Sequence, residues 1–450
     1  MSVFQGKLHG YPLISVDNFT KETFSCTAFF LSHCHTDHMD GLVSEAFLDF
    51  LQSKKKIHLY CSETTKNLLQ SDSNLRILCP HVEGIPISQP TMIDIPQRDM
   101  SNSDSVLVTL IPAGHCVGSV MFLFEGQKGA VLYTGDFRMK KGDIKRIECL
   151  QTNKIVKKIS ELYIDTTFCT PSIQWLPSRE ESKESIISLM KSWLKNGDNK
   201  AVFIQCSAKY GYEYILKEIA IAFNTKIHVD GPKFDLYTAI PGMSDFVTSF
   251  GEETKIHSCH WKNYCTQSCF PCGVSRIREK PLKILKIKPS TLWVFKKKVV
   301  PNDNIIYDEK LGVHRVVHSM HSSFEEICDI VSYLQPSYLY PTVVPVDADD
   351  IVEAYERLKH LFVDDEKECM EGSASSKDEI ERTEGASFDI PWHSKVSPKK
   401  AWLCENELKI HDEFHSMPCV TSAKRKRKLQ PSNGLPVSSS NGNEGLPKCD

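Results

Sequence analysis

Ser32-His33-Cys34-His35-Thr36-Asp37-His38 follows directly on the apolar run Ala28-Phe29-Phe30-Leu31. Side chains alternate faces along a strand, so His33 and His35 project to one side at the carboxyl end of a strand formed by that run. Asp37 and His38 fall on the turn that follows and enter the same space from another direction. Four donors so close together can serve two metal ions: imidazoles suit zinc, and a carboxylate suits a harder neighbour. A polar loop of hydrogen-bonded histidines would explain one histidine better than it explains H-x-H-x-D-H behind a strand.

Two further fragments have the same form. Pro112-Ala113-Gly114-His115-Cys116-Val117-Gly118-Ser119 follows a β-rich run from Ser105 to Ile111, and Thr134-Gly135-Asp136 follows the run from Ala130 to Tyr133. Each places a donor in a loop at a strand end. Asp17, after Ile14-Ser15-Val16, can orient a metal-bound histidine from behind. A single His or Asp in a loop is usually structural or solvated; it is the set, in this order, that points to a metal centre.

Composition sets only broad bounds. The 450 residues are 41% hydrophobic and 25% charged, with a formal charge of −3. No apolar run approaches the roughly 18–20 residues of a membrane span, so no membrane partner is expected. The start, Met1-Ser2-Val3-Phe4-Gln5-Gly6, lacks the basic and apolar regions of a secretory signal. The 17 cysteines are scattered singly, which reads as reduced thiols, a few of them binding metal. The small net charge averages over segments of opposite sign and neither supports nor excludes nucleic acid.

The first ~165 residues read mostly as strands and loops, including Met121 to Phe124. Residues 178–280 alternate helix and strand. Ser178 with Glu181 makes a capping box, Asn196-Gly197 closes that helix, Ala201 to Ile204 reads as a strand and Tyr212 to Phe223 as a helix. A second box, Ser323 with Glu326, opens a helix to Leu334, followed by an extended Tyr338 to Val346 and a helix from Asp350 to Leu361. This order fits an α/β unit interrupted by another. Residues 364–450 are polar and Ser/Gly-containing with few apolar recurrences, which predicts disorder.

In Asp17, His33/His35/Asp37/His38, His115 and Asp136 the sequence resembles the metallo-β-lactamase superfamily, whose first four motifs these match in order. The resemblance implies an α/β fold, an αββα sandwich, with one metal held by His33, His35, His115 and Asp136. Asp37, His38 and a shared Asp136 would hold a second. Zinc is expected, with magnesium or manganese as candidates for the second position. The next motif is displaced by about 150 residues. Leu162-Tyr163-Ile164-Asp165 ends another strand in a carboxylate, and His321 stands in Val317-His318-Ser319-Met320-His321. That layout resembles the nucleic-acid-processing subgroup carrying an inserted α/β domain, the β-CASP domain. The implied division is 1–167 and 316–363 for the sandwich, 168–315 for the insertion and 364–450 for the disordered tail. Asp165 and His321 would be its A and B motifs, with His321 as general acid oriented by Asp165, as a structural pair, or as a contact of the second metal. Its third motif falls near Val343, where RNA-processing members carry histidine and DNA-processing members an aliphatic residue. Valine cannot ligate, so the second metal site is expected to be the weaker.

Pro112 to Cys116, Leu132 to Arg138, Asp165 to Cys169, Tyr210-Gly211-Tyr212-Glu213-Tyr214, Phe270 to Gly273 and Ile287 to Thr291 are similar to DNA-repair members of the subgroup. That similarity implies a 5′-to-3′ exonuclease on single strands and an endonuclease that opens hairpins and trims overhangs. These activities serve non-homologous end joining and V(D)J recombination, with the DNA-dependent protein kinase catalytic subunit as partner; Pro391 to Val396 falls where the family binds it. DNA ligase IV would be a further partner, through a family tail that runs longer than the text here.

The same resemblance implies a structural zinc held by His228, His257, Cys259 and Cys272. Spacing alone leaves that set open, because His260, Cys265 and Cys269 lie nearby. Residues 276–298, including Lys288, Lys296, Lys297 and Lys298 with Trp293 and Phe295, interleave cations and aromatics as a strand-tracking surface does, or form a solvated face over core aromatics. Lys209 is a candidate phosphate contact by analogy. Lys424-Arg425-Lys426-Arg427-Lys428 reads as a nuclear-import signal. Two rivals stand beside this reading. An RNA nuclease should show histidine near 343, and a non-catalytic scaffold should have lost a ligand.

Overall fold

The computed structural model describes residues 4–54, 56–99, 102–195, 197–259, 266–277, 280–346 and 351–361. The 364–450 segment, the basic run Lys424 to Lys428, Pro391 to Val396, His260 and Cys265 lie outside them. Among the described residues, no helix is long and apolar enough to cross a membrane.

Ala28–Phe30 is an inner strand of a four-stranded parallel sheet with Ile14–Val16, Leu59–Ser62 and Val82–Ile85. Parallel neighbours need crossovers. Helices Glu45–Ser53 and Glu63–Ser71 lie in them, each capped by a serine whose Oγ accepts a backbone N–H: Ser44 from Phe47 and Ser62 from Thr65. These helices correct the strand-and-loop reading of this region. Each is nine residues long and buries only two or three side chains, so periodicity is faint and the capping serines are the available signal.

A second, six-stranded sheet runs in the order Tyr338–Pro341, Ile159–Ile164, Gly129–Tyr133, Val120–Gly126, Ser103–Pro112, Thr91–Pro96. The two sheets pack face to face, and the alternation of residues decides which side chains meet. Phe30, Phe122, Phe124, Val131, Tyr133 and Tyr163 fill the space between them, with Phe30 edge-on to Phe122 at 5.3 Å and to Phe124 at 5.0 Å. Phe29 and Leu31 turn outward onto the helices of the first sheet, and Met121, Leu123, Leu132, Leu162 and Ile164 turn onto helices Phe324–Leu334 and Ile351–His360. The result is the expected αββα layering.

Between Ile164 and Phe324 lies a third unit. Its seven-stranded sheet, Val247–Thr248, Ile227–His228, Ile256–His257, Lys200–Ile204, Lys283–Ser290, Val313–Val317, Ile305–Asp308, is parallel except for the last strand. Helix Arg179–Leu194 opens with the Ser178–Glu181 capping box, and helix Glu213–Phe223 packs beside it. After Val317 the chain returns to the six-stranded sheet, where Tyr338–Pro341 pairs in parallel with Glu161–Ile164. Regular pairing stops there, short of the expected Val346, although the Thr342 N–H still donates to the Ile164 carbonyl at 2.9 Å.

Candidate metal centre

Three strand ends converge at one edge of the sandwich. The loop after Ala28–Phe30 supplies His33, His35 and His38, the loop after Ser103–Pro112 supplies His115, and the loop after Gly129–Tyr133 supplies Asp136. The loop after the third unit brings His321 to the same place. Asp136 is the hub: its carboxylate lies 3.1 Å from His38 Nε2, 3.6 Å from His115 Nε2, 3.8 Å from His33 Nε2 and 3.9 Å from His321 Nε2.

Each imidazole is held from behind by its other nitrogen. Ser32 Oγ is 2.9 Å from His33 Nδ1, Asp17 Oδ2 is 2.8 Å from His38 Nδ1, the Met320 carbonyl is 3.0 Å from His115 Nδ1, and the Tyr210 carbonyl is 3.3 Å from His35 Nε2. That leaves His33 Nε2, His35 Nδ1, His38 Nε2 and His115 Nε2 facing inward, the arrangement by which outer partners fix ligand tautomers. His35 Nδ1 and His115 Nε2 stand 2.9 Å apart, and the buried His33 Nε2 has no hydrogen-bond partner. Burial, reinforced by neighbouring imidazoles, holds His33 and His115 well below the usual histidine range, and burial also lowers His35. Neutral imidazoles crowded around a carboxylate, one donor orphaned, suit a cation. Two compact donor groups lie here, His33/His35/His115 with Cys116 and His33/His38/Asp136, and a third joins His115, Asp136 and His321.

Burial opposes charge on His38 and His321, but carboxylates outweigh it. Asp136 and Asp17 raise His38 well above its ordinary value, and Asp165 and Asp136 raise His321 to about 9. Asp165 is itself fixed, accepting from Thr167 N–H at 2.8 Å and Thr167 Oγ1 at 2.6 Å while it faces His321 Nδ1 at 2.8 Å. Asp37 stands at the rim. Its side chain is 74% exposed and 4.0 Å from His38 Nε2, outside the compact groups. Val343 lies beside this wall, its carbonyl accepting from Thr166 Oγ1.

Several supporting groups were not legible beforehand. Backbone carbonyls of Tyr210 and Met320 carry no residue signature. Tyr133 OH donates to Asp17 Oδ2 at 3.0 Å, from within a fragment already noted. Buried Arg138 pairs with Glu326 at 3.1 Å and donates to the carbonyls of His321, Leu176 and Pro177. Arg179 donates to the His115 carbonyl at 2.8 Å.

His228, His257, Cys259 and Cys272 form a second donor group in the third unit, with His257 Nδ1 3.0 Å from His228 Nδ1, 3.5 Å from Cys272 Sγ and 3.9 Å from Cys259 Sγ. The Cys259 thiol leads the shift of Cys272 toward thiolate and is itself raised in return. Cys269 is turned aside, its thiol on the Phe270 carbonyl. Of the cations expected to meet phosphate, Lys296 and Lys297 are exposed, Lys298 caps their helix in a left-handed conformation, Lys288 is buried, and Lys209 is paired with Asp72 at 2.6 Å.

Known proteins are similar to this chain in sequence. The model of the DNA repair metallo-beta-lactamase family matches residues 242–347, and that of the anti-Pycsar protein Apyc1 matches residues 14–168. Protein artemis of Pongo abelii is 36% identical over 448 residues, 96% of this chain and 63% of that protein. Protein artemis of Homo sapiens is 39% identical over 363 residues, 80% of this chain and 52% of that protein. The chain is thus similar, over most of its length, to DNA repair proteins of the metallo-β-lactamase type. The 5′ exonuclease Apollo of Rattus norvegicus is 29% identical over 315 residues, 70% of this chain and 50% of that protein. The chain thus spans from about half to 63% of the length of these curated relatives.

Proposed function

We propose that this chain is a metal-dependent DNA nuclease: a 5′-to-3′ exonuclease on single strands and an endonuclease that opens hairpins and trims overhangs. The observation that carries the reading is Asp136 at the centre of four imidazoles, within 3.9 Å of each. One zinc would be held by His33, His35, His115 and Asp136. A second ion, zinc, magnesium or manganese, would be held by Asp37, His38 and Asp136. Such ions would supply a nucleophilic water near neutral pH and neutralise charge on the phosphate.

The protein's own share is positioning and proton transfer. Asp17, Ser32, Tyr210 and Met320 aim the imidazoles, and Asp165 fixes His321 so that Nε2 faces the hub, placed to protonate the leaving 3′ oxygen. Val343, where a ligating histidine would mark an RNA nuclease, favours DNA. Residues 1–167 and 316–363 would form the catalytic sandwich, with 168–315 as a β-CASP insertion stiffened by a structural zinc on His228, His257, Cys259 and Cys272. Nuclear localisation through Lys424 to Lys428, and action in end joining and V(D)J recombination with the DNA-dependent protein kinase catalytic subunit and DNA ligase IV, extend the same reading.

The test incubates the chain with a labelled hairpin and with 5′-phosphorylated single-stranded DNA, beside Asp136→Asn, Asp165→Asn and Asp37→Asn. The reading requires cleavage that all three changes abolish or cripple. Cleavage that survives all three removes the site, and a strict preference for RNA removes the substrate assignment.

A further inference from the structure

Trp175 is 51% exposed, although Ile173 and Leu176 close by in the same loop are buried. Ile173 and Leu176 insert into a small apolar core with Phe168, Trp293, Val294, Phe295 and Val317. The backbone is pinned as well. The Gln174 carbonyl accepts from Glu325 N–H at 2.9 Å, and the Leu176 and Pro177 carbonyls accept from Arg138 at 3.3 and 3.2 Å. An indole presented on so constrained a loop loses little freedom when it is covered, so it is built to be covered.

The same small core ties Trp175 to the catalytic wall. Phe168 stacks on Phe295 at 4.5 Å and stands edge-on to His321 at 5.4 Å, and Arg138, which holds the loop, also donates to the His321 carbonyl at 3.2 Å. Trp293, Val294 and Phe295 root the short helix that exposes Lys296 and Lys297. One packing unit therefore supports the histidine, an exposed indole and two exposed cations. Gln174 and Ser172 beside Trp175 are exposed and polar, so the indole's neighbours in the loop add no apolar side chain to it. A protein interface buries about 800 Å² per partner. One indole face with nearby cations matches instead one unpaired base and its phosphates.

We propose that Trp175 stacks an unpaired base next to the scissile phosphate, with Lys296 and Lys297 meeting the adjoining backbone, so that this face selects single-stranded and overhanging DNA over duplex. The inference rests on the nuclease reading above, and the experiment separates the two.

Full-length chain carrying Asp136→Asn, which leaves DNA intact, is titrated with a labelled oligothymidylate and with a blunt duplex. Anisotropy and tryptophan emission are the readouts. Trp175→Ala should weaken oligothymidylate binding about 5- to 100-fold, the range of one base–aromatic stack, and change duplex binding less than about twofold. Trp175→Phe should retain most of the affinity while losing the emission quench. An unchanged affinity in Trp175→Ala, or an equal loss for duplex, overturns the stacking role while cleavage by the unaltered chain keeps the nuclease reading. No binding or cleavage of any DNA by the unaltered chain overturns both.

Discussion

His321 Nδ1 lies 2.8 Å from Asp165 Oδ2, and the Asp165 carboxylate is locked by both the N–H and the hydroxyl of Thr167. A carboxylate there keeps the proton on Nδ1 and turns Nε2 toward Asp136. Asp165→Asn would present an amide N–H to Nδ1 or break the Thr167 contacts, favouring the other tautomer. Hairpin cleavage should fall about 10²- to 10⁴-fold, the usual worth of a positioned acid, with metal content unchanged. Metal content that falls in parallel with rate would make His321 a ligand instead of an acid.

Asp17 gathers four donors: Ser32 N–H at 2.7 Å, Ser32 Oγ at 2.6 Å, His38 Nδ1 at 2.8 Å and Tyr133 OH at 3.0 Å. Its φ of 53° is left-handed, a conformation Asn also tolerates. Asp17→Asn should therefore fold normally yet lose the charge that steadies His38. Chelator competition should show metal affinity weakened about 10- to 100-fold, while Asp17→Ala adds a loss of stability from the stranded Tyr133 hydroxyl. Equal affinity in the Asn variant would show that Asp17 serves packing alone.

Legibility followed the physics of each element. Phe29 and Phe30 announce a strand between two apolar layers, because adjacent side chains must go to opposite faces, and the donor motifs sit at strand ends where the topology gathers them. The helix Glu45–Ser53 was missed because Phe47 and Leu51 are its only buried residues, too few to establish a period. The strands Ile227–His228 and Val247–Thr248, two residues each, carry no period at all. Tyr210 and Met320 act through carbonyls, which every residue owns, so only coordinates reveal them. Lys209 and Lys288 show what local sequence does not carry: Asp72, far away in the chain, pairs with Lys209, and Lys288 is buried, and neither setting is written in the residues around them.

Gly114 tests how tightly the loops are docked. At φ +68° its Cα faces the Arg138 carbonyl, and an added Cβ would stand 2.5 Å from that oxygen, which is backbone and cannot yield. Gly114→Ala should cost about 2–4 kcal/mol from left-handed strain and overpacking and should shift His115 out of register with Asp136. Gly142→Ala is the control, since φ is +86° there with nothing within 4 Å. It should cost about 1–2 kcal/mol and leave metal binding intact. Urea midpoints and metal stoichiometry for the two variants decide whether the docking or the φ angle matters.

His318 is buried, and its pKa is pushed down to about 3 by desolvation, with help from Arg179 and Arg138. Unfolded, the same ring titrates near ~6.5. Above that value both states are neutral and the group contributes nothing to the balance. Between ~6.5 and about 3 only the unfolded chain takes the proton, so stability is lost progressively as pH falls through that window. At pH ~5 the loss from this ring alone is about 2 kcal/mol. His318→Phe should remove that part: between pH ~7 and ~5, at matched ionic strength and without metal, the variant should lose about 2 kcal/mol less unfolding free energy than the unaltered chain. Identical acid sensitivity in urea titrations of the two proteins would mean that the ring is protonated, or reaches solvent, in the folded state.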